Sequence, residues 1–197
     1  MFAARTPGQP GAPLVLTFHG TGGNEQQFHA LAQDLIPAAH ITSPRGEVSE
    51  NGALRYFRRT GEGRYDMADL AARTAQMATF IAGEQAATAA TRVIGLGYSN
   101  GANIAAAVSF QHPGLFTDLI LLHPLIPFTP TPAPGLAGRR ILITAGQRDP
   151  ICPAALTRTL ADYYTASGST VSLHWHPGGH EIAPSEIEAI RAALTRS

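Results

Sequence analysis

The 197-residue chain contains no lysine: all 14 basic residues are arginine, and 14 Asp+Glu bring the formal net charge to +0. Without lysine there is no Walker A phosphate loop and no amine nucleophile for Schiff-base or pyridoxal chemistry. Balanced charge leaves no basic stripe for a phosphate backbone, so nucleic acid is not an expected partner. Cysteine is nearly absent as well. The single Cys152 excludes an intramolecular disulfide, a CxxC redox pair and a cysteine-based zinc motif, and it fits a reducing, cytoplasmic setting. No run of about 18 apolar residues occurs, and Met1-Phe2-Ala3-Ala4-Arg5-Thr6-Pro7 lacks the continuous apolar stretch of a signal peptide, so no membrane role is expected. Charged residues make up only 14% against 44% hydrophobic, which excludes a chain kept disordered by self-repulsion. The expectation is one folded domain over 1–197.

What is present alternates. Short, continuous apolar runs at 13–18, 40–43, 92–96, 118–122, 140–145 and 170–175 predict strands buried on both faces. Between them, helical spacing predicts helices at 24–36, 66–85, 101–111, 153–166 and 184–195. In the longest, Met67, Leu70, Thr74, Met77 and Phe80 or Ile81 recur every three or four residues, the stripe of a helix packed on a sheet. The fold class is therefore α/β, a mostly parallel central sheet with helices on both faces. Two connections, 43–65 and 124–138, are long for a compact domain, and the second carries five prolines between Pro124 and Pro134. Such segments often shape a cleft.

The strongest chemical signal is Gly97-Tyr98-Ser99-Asn100-Gly101, a G-x-S-x-G placed between a predicted strand and a predicted helix. A sharp turn there presents the serine hydroxyl at a helix N-terminus, where free N–H groups and the helix dipole favour negative charge. A dinucleotide loop built from Gly95, Gly97 and Gly101 fails, because G-x-G-x-x-G requires glycine where Asn100 stands. A serine nucleophile needs a base and an orienting acid. Asp149 follows the strand at 140–145 and His180 follows the one at 170–175, which makes them the acid and base candidates, with His176 as the reserve base. Asp149-Pro150 also reads as an ordinary turn or helix cap, and His174, His176 and His180 together as a metal set. For an oxyanion hole the N–H of Asn100 supplies one donor. His19-Gly20-Thr21-Gly22-Gly23 after the strand at 13–18 supplies another, with Thr21 first and Gly20 or Gly22 as alternatives.

With these motifs the sequence resembles an α/β-hydrolase of the phospholipase/carboxylesterase branch, which includes acyl-protein thioesterases and bacterial hydroquinone-inducible hydrolases. The resemblance covers nearly the whole chain. Besides HGTGG and GYSNG it rests on Ser43-Pro44-Arg45-Gly46, Phe57-Arg58-Arg59, His123-Pro124, the run 145–152 and Gly178-Gly179-His180. It implies Ser99, Asp149 and His180 as the triad, in the chain order of that fold, with the amides of Thr21 and Asn100 as the hole. Asn100 departs from the acyl-protein thioesterases, where glutamine follows the serine. The implied activity is metal-free, cofactor-free hydrolysis of a small or short-chain carboxylic ester, with no large lid. Thioesterase, phospholipase, lactone or carbon–carbon hydrolase chemistry on the same triad, or a non-catalytic ligand-binding role, are the alternatives. Tyr98, Leu125, Ile126, Phe128 and Ile151 are candidate cleft walls. Arg55, Arg58 or Arg59 could meet a substrate carboxylate, and Arg58 is the one assigned to substrate binding. A small-molecule ester is the expected partner; a homodimer is compatible with the size, although no exposed stripe marks an interface.

Overall fold

A computed structural model describes residues 1–195. The chain runs β1 (Ala3–Thr6), β2 (Leu14–Phe18), α1 (His29–Leu35), β3 (His40–Pro44), β4 (Val48–Glu50), β5 (Ala53–Arg55), β6 (Arg59–Gly61), β7 (Arg64–Tyr65), α2 (Met67–Thr88), β8 (Val93–Tyr98), α3 (Asn100–Gln111), β9 (Asp118–Leu122), β10 (Arg140–Gly146), α4 (Ala154–Ala166), β11 (Thr170–His176) and α5 (Pro184–Thr195). Seven strands form one sheet in the order β1-β3-β2-β8-β9-β10-β11. All neighbours are parallel except β1, which pairs antiparallel with β3 at the edge.

Apolar side chains on both sides of a strand can be satisfied only when both faces of the sheet are covered. Leu14, Leu16 and Phe18 of β2 and Leu119 and Leu121 of β9 point into one core, shared with α2, α3 and α4. The intervening Val15, Ile120 and Leu122 point into the other, where Ala32 of α1 and Ile190 of α5 cover them. Each such residue contributes on the order of 1.5–3 kcal/mol when fully buried.

Every predicted strand is present, its ends shifted by at most two residues. Three features differ from expectation. β1 lies in a polar stretch whose place at the sheet edge, rather than its own pattern, makes it a strand. Helix α1 starts at His29, not at 24, because residues 25–28 turn and Glu25 is buried against Arg45, 2.5 Å away. The connection 43–65 folds into two hairpins, β4–β5 and β6–β7, whose strands of two or three residues are too short to show a period. No helix among the described residues is long and apolar enough to cross a membrane.

Parallel strands end on a common edge. The chain steps from β2 outward to β3 on one side, and β8 lies on the other. This reversal leaves a crevice at the carboxyl ends of β2 and β8, the usual ligand position in open α/β sheets. The loop 19–23 and Ser99 flank it. At the opposite end of the sheet, Asp118 accepts bidentate bonds from both Arg92 and Arg140, tying three adjacent strands together.

Candidate active site

Ser99 occupies φ 51° and ψ −116°, a backbone conformation that costs a non-glycine residue on the order of 1–3 kcal/mol. Two bonds hold it there: its N–H donates to Leu122 O at 2.8 Å, and its carbonyl accepts from Asn103 N at 2.9 Å. The turn also needs its glycines. A Cβ on Gly97 would stand 2.6 Å from Gly101 O, and one on Gly101 only 2.2 Å from Phe18 O.

The three predicted residues meet at this edge. Ser99 Oγ lies 2.9 Å from His180 Nε2, and His180 Nδ1 lies 2.7 Å from Asp149 Oδ2. Since Nδ1 faces a carboxylate, it carries the ring proton and leaves Nε2 free to accept from the serine. Asp149 is fixed further by Ile151 N and Cys152 N, which donate to Oδ1 at 2.8 and 2.9 Å. Burial alone would raise its pKa, but these amides and the rings of His123 and His180 bring it below the usual carboxylate range. Tyr98 donates its hydroxyl to His180 O at 2.7 Å and packs at a tilt on the imidazole, centroids 5.3 Å apart, so it positions the loop carrying His180.

In the loop after β2, Gly20 N–H donates to Gln27 Oε1 and Gly22 N–H to Leu54 O. Both alternatives to Thr21 are thereby engaged. The N–H groups of Thr21 and of Asn100, in the first turn of α3, find no acceptor within the described residues and remain available to an oxyanion. Segment 54–56 secures both arms of this pair. Arg55 Nη1 donates to Thr21 Oγ1 at 2.9 Å, and Tyr56 N donates to Asn100 Oδ1 at 2.8 Å.

A cleft of about 390 Å³ opens over Ser99 and His180. Tyr98, Leu125 and Ile151 line it, as expected. Ile126 and Arg58 do not. Ile126 belongs to the core between the sheet and its helices, and Arg58 turns outward, 62% exposed, to Asp66 and Asp69. Phe128 packs on Phe110 and Tyr65, beside a separate groove. Arg55 and Arg59 face the cleft instead, both beside Glu50. Tyr65 and Asn103, absent from the sequence reading, form the far wall; Asn103 Nδ2 donates to the Tyr65 hydroxyl at 2.8 Å.

Behind Asp149 stand His123 and Glu186, which sequence reasoning left without a catalytic role. His123 Nδ1 lies 2.9 Å from Asp149 Oδ2, and its Nε2 lies 3.1 Å from Glu186 Oε1. His176, the reserve base, is buried and directs Nε2 at Glu186 Oε2, 3.4 Å away, not at the serine. His174 contacts Ser185, so the proposed metal set of three histidines is not assembled. Two groups, His123–Asp149–His180 and His123–His176–Glu186, cluster closely enough to hold an ion. Their carboxylate oxygens, however, already accept from Ile151, Cys152, Thr144 and Ala183. His123-Pro124 at a strand end was the one legible signal among these residues.

The profile of the family described as Phospholipase/Carboxylesterase matches residues 1–197. The chain is 40% identical over 180 residues, 90% of each chain, to the hydrolase candidate MhqD of Bacillus subtilis (strain 168). Among solved structures it is similar to Atu2452 of Agrobacterium tumefaciens str. C58, a protein of unknown function. The TM-score is 0.94 and the identity 53%, with 97% of this chain and 94% of that one covered. It is also similar to the Bacillus cereus carboxylesterase, with a TM-score of 0.91, 35% identity, and 96% and 91% of the two chains covered.

Proposed function

The chain belongs to the phospholipase/carboxylesterase family of α/β-hydrolases, and we propose that it cleaves compact carboxylic esters through an acyl-enzyme on Ser99, without a metal ion. The observation that carries this reading is the unbroken line from Ser99 Oγ through His180 to Asp149, with contacts of 2.9 and 2.7 Å, above a strained serine backbone. Nε2 of His180 takes the serine proton as Oγ attacks the ester carbonyl. The resulting oxyanion receives the N–H groups of Thr21 and Asn100, and Asp149 balances the charge gained by the imidazole. His180 then protonates the departing alcohol, and water repeats the sequence on the acyl-enzyme.

The cleft volume of about 390 Å³ is near the small end for ligand sites, and its polar lining of Arg55, Arg59, Tyr65 and Asn103 suits a short acyl group better than a fatty one. The test is hydrolysis of p-nitrophenyl esters from acetate to decanoate, with and without a chelator. The expected result is a short-chain optimum unaffected by chelation, and a loss on the order of 10⁴-fold or more in Ser99→Ala. Equal rates in wild type and Ser99→Ala would overturn the serine mechanism, and loss on chelation would overturn its metal independence.

A further inference from the structure

The triad does not end at Asp149. Asp149, His123 and Glu186 have fully buried side chains, and the ring of His123 lies between the two carboxylates. The ring is held firmly: His123 N donates to Thr144 O at 2.9 Å, its carbonyl accepts from Cys152 Sγ at 3.2 Å, and its backbone adopts φ 49°, uncommon for any residue but glycine.

The geometry supports one assignment of the protons. A neutral imidazole has one N–H and one lone pair, so one nitrogen of His123 would face a carboxylate oxygen lone pair to lone pair. With both nitrogens protonated, Nδ1–H donates to Asp149 and Nε2–H faces the Glu186 carboxylate as an ion-pair contact. On Glu186 the Oε2 atom accepts from the obligate donor Ala183 N and faces His176, and Oε1 meets the Thr144 hydroxyl, surroundings that suit an ionised carboxylate. His176 Nδ1 accepts from Gly178 N, which puts the proton of that ring on Nε2, toward Glu186. Both Nε2 contacts with Glu186 are ion-pair contacts off the hydrogen-bond direction, and neither nitrogen has another partner among the described residues. Charge balance agrees. Two buried carboxylates around a neutral ring would leave two uncompensated charges, whereas an imidazolium leaves one, which His180 neutralises when it takes the serine proton.

We propose that His123 and Glu186 are positioning residues of the catalytic site: Glu186 keeps His123 a buried imidazolium, and that cation orients Asp149 toward His180 and opposes positive charge on His180. This rests on the serine-hydrolase reading. The ring centroids of His123 and His180 are 5.1 Å apart, and Glu186 lies on the far side of His123, so the cation is the nearer of the two charges. Loss of that cation is therefore expected to be read in the acid limb of the activity profile. Burial works against the charge on His123, but Glu186 and Asp149 outweigh it and raise its pKa. Besides the two carboxylates, His176 packs on the His123 ring with centroids 5.3 Å apart, and Tyr98, Cys152 and Glu181 surround the two rings. Burial pushes Tyr98 up to about 12 and raises the Cys152 thiol, while the exposed Glu181 sits below its ordinary value through backbone amides.

Two measurements test this. Imidazole ¹⁵N NMR of the intact wild-type protein at pH 8, assigned by the signal missing in His123→Asn, is expected to show both His123 nitrogens protonated. A singly protonated ring overturns the proposal. In pH profiles of kcat/KM for p-nitrophenyl acetate, Glu186→Gln is expected to move the acid limb up by about one pH unit, roughly a tenfold relative loss below the limb. His123→Asn, which tolerates the positive φ, strands the Glu186 carboxylate and is expected to melt lower. Adding Glu186→Gln to it should recover stability while the limb stays displaced. A limb that stays in place in the Gln variant and in the double variant overturns the proposal, since a purely structural network would lower stability alone. One equivalent of zinc surviving chelation in wild type and absent from Glu186→Gln also overturns it. Failure of the serine reading is seen separately, as activity retained by Ser99→Ala, and leaves the NMR result intact.

Discussion

At the scale of single residues, backbone and side chain of one amino acid do different work. In the proposed mechanism Asn100 offers its N–H to the oxyanion, whereas its buried side chain accepts from Tyr56 N. Asn100→Ala is expected to reduce stability by about 1–3 kcal/mol, the usual result of stranding a buried amide, and to reduce kcat by less than tenfold. Arg55→Met should show the reverse balance. It removes the bond to Thr21 Oγ1 and loosens one arm of the oxyanion pair, so kcat is expected to fall on the order of tenfold or more with KM for a neutral ester little changed. Thermal melts and steady-state kinetics on both variants check the contrast. If Asn100→Ala loses activity as an oxyanion donor would, about 10²-fold or more, the side chain rather than the amide is engaged.

At the scale of elements, strand β8, the turn and helix α3 form a unit whose tightness is set by close backbone approach. Gly101→Ala would gain about 1 kcal/mol of helix propensity, yet its Cβ would meet Phe18 O at 2.2 Å, and backbone cannot move aside as a side chain can. Overlap wins, with an expected destabilisation of about 1–3 kcal/mol and a large loss of activity from the displaced serine. Gly83→Ala in α2 is the control. Among the described residues nothing lies within 4 Å of its Cβ position, so it should stabilise by about 0.5–1 kcal/mol, measured by urea denaturation. The elements carrying Ser99, Asp149 and His180 were legible because each residue comes within four positions of the end of a strand, Ser99 between β8 and α3 and the other two in the loops after β10 and β11. The hairpins at 48–65 were not. Two- and three-residue strands show no period, and which arginine faces the cleft depends on pairing: Arg55 lies opposite Val48 and is buried, while Arg58, three residues on, is outside the strands and exposed.

At the scale of the whole molecule, the buried charges predict how stability follows pH. Burial disfavours the charged forms of Asp118, Asp149 and Glu186, but arginines, histidines and amides overcome it and lower all three pKa values. Their contribution is complete above the ordinary carboxylate values and is lost as pH falls through the lowered ones. His123 acts with the opposite sign. Its raised value gives a contribution complete below about 6.5 and lost as pH rises through the folded-state value. Melting temperature against pH should therefore form a plateau that declines on both sides, and Glu186→Gln should flatten the alkaline decline. A wild-type curve without an alkaline decline assignable to His123 would count against a charged ring. The sequence by itself determined the α/β alternation, the elbow around Ser99, the chain order of Ser99, Asp149 and His180 and the family, because apolar period and turn chemistry are local properties of a chain. Only the tertiary structure decided that Thr21 rather than its neighbours has a free amide, that Arg58 turns away, and that His123 and Glu186 meet behind Asp149. Those facts depend on which polar groups from distant segments share a buried space. Local patterns place such residues on strands, helices and turns, but the packing of the sheet and α5 brings their charges together.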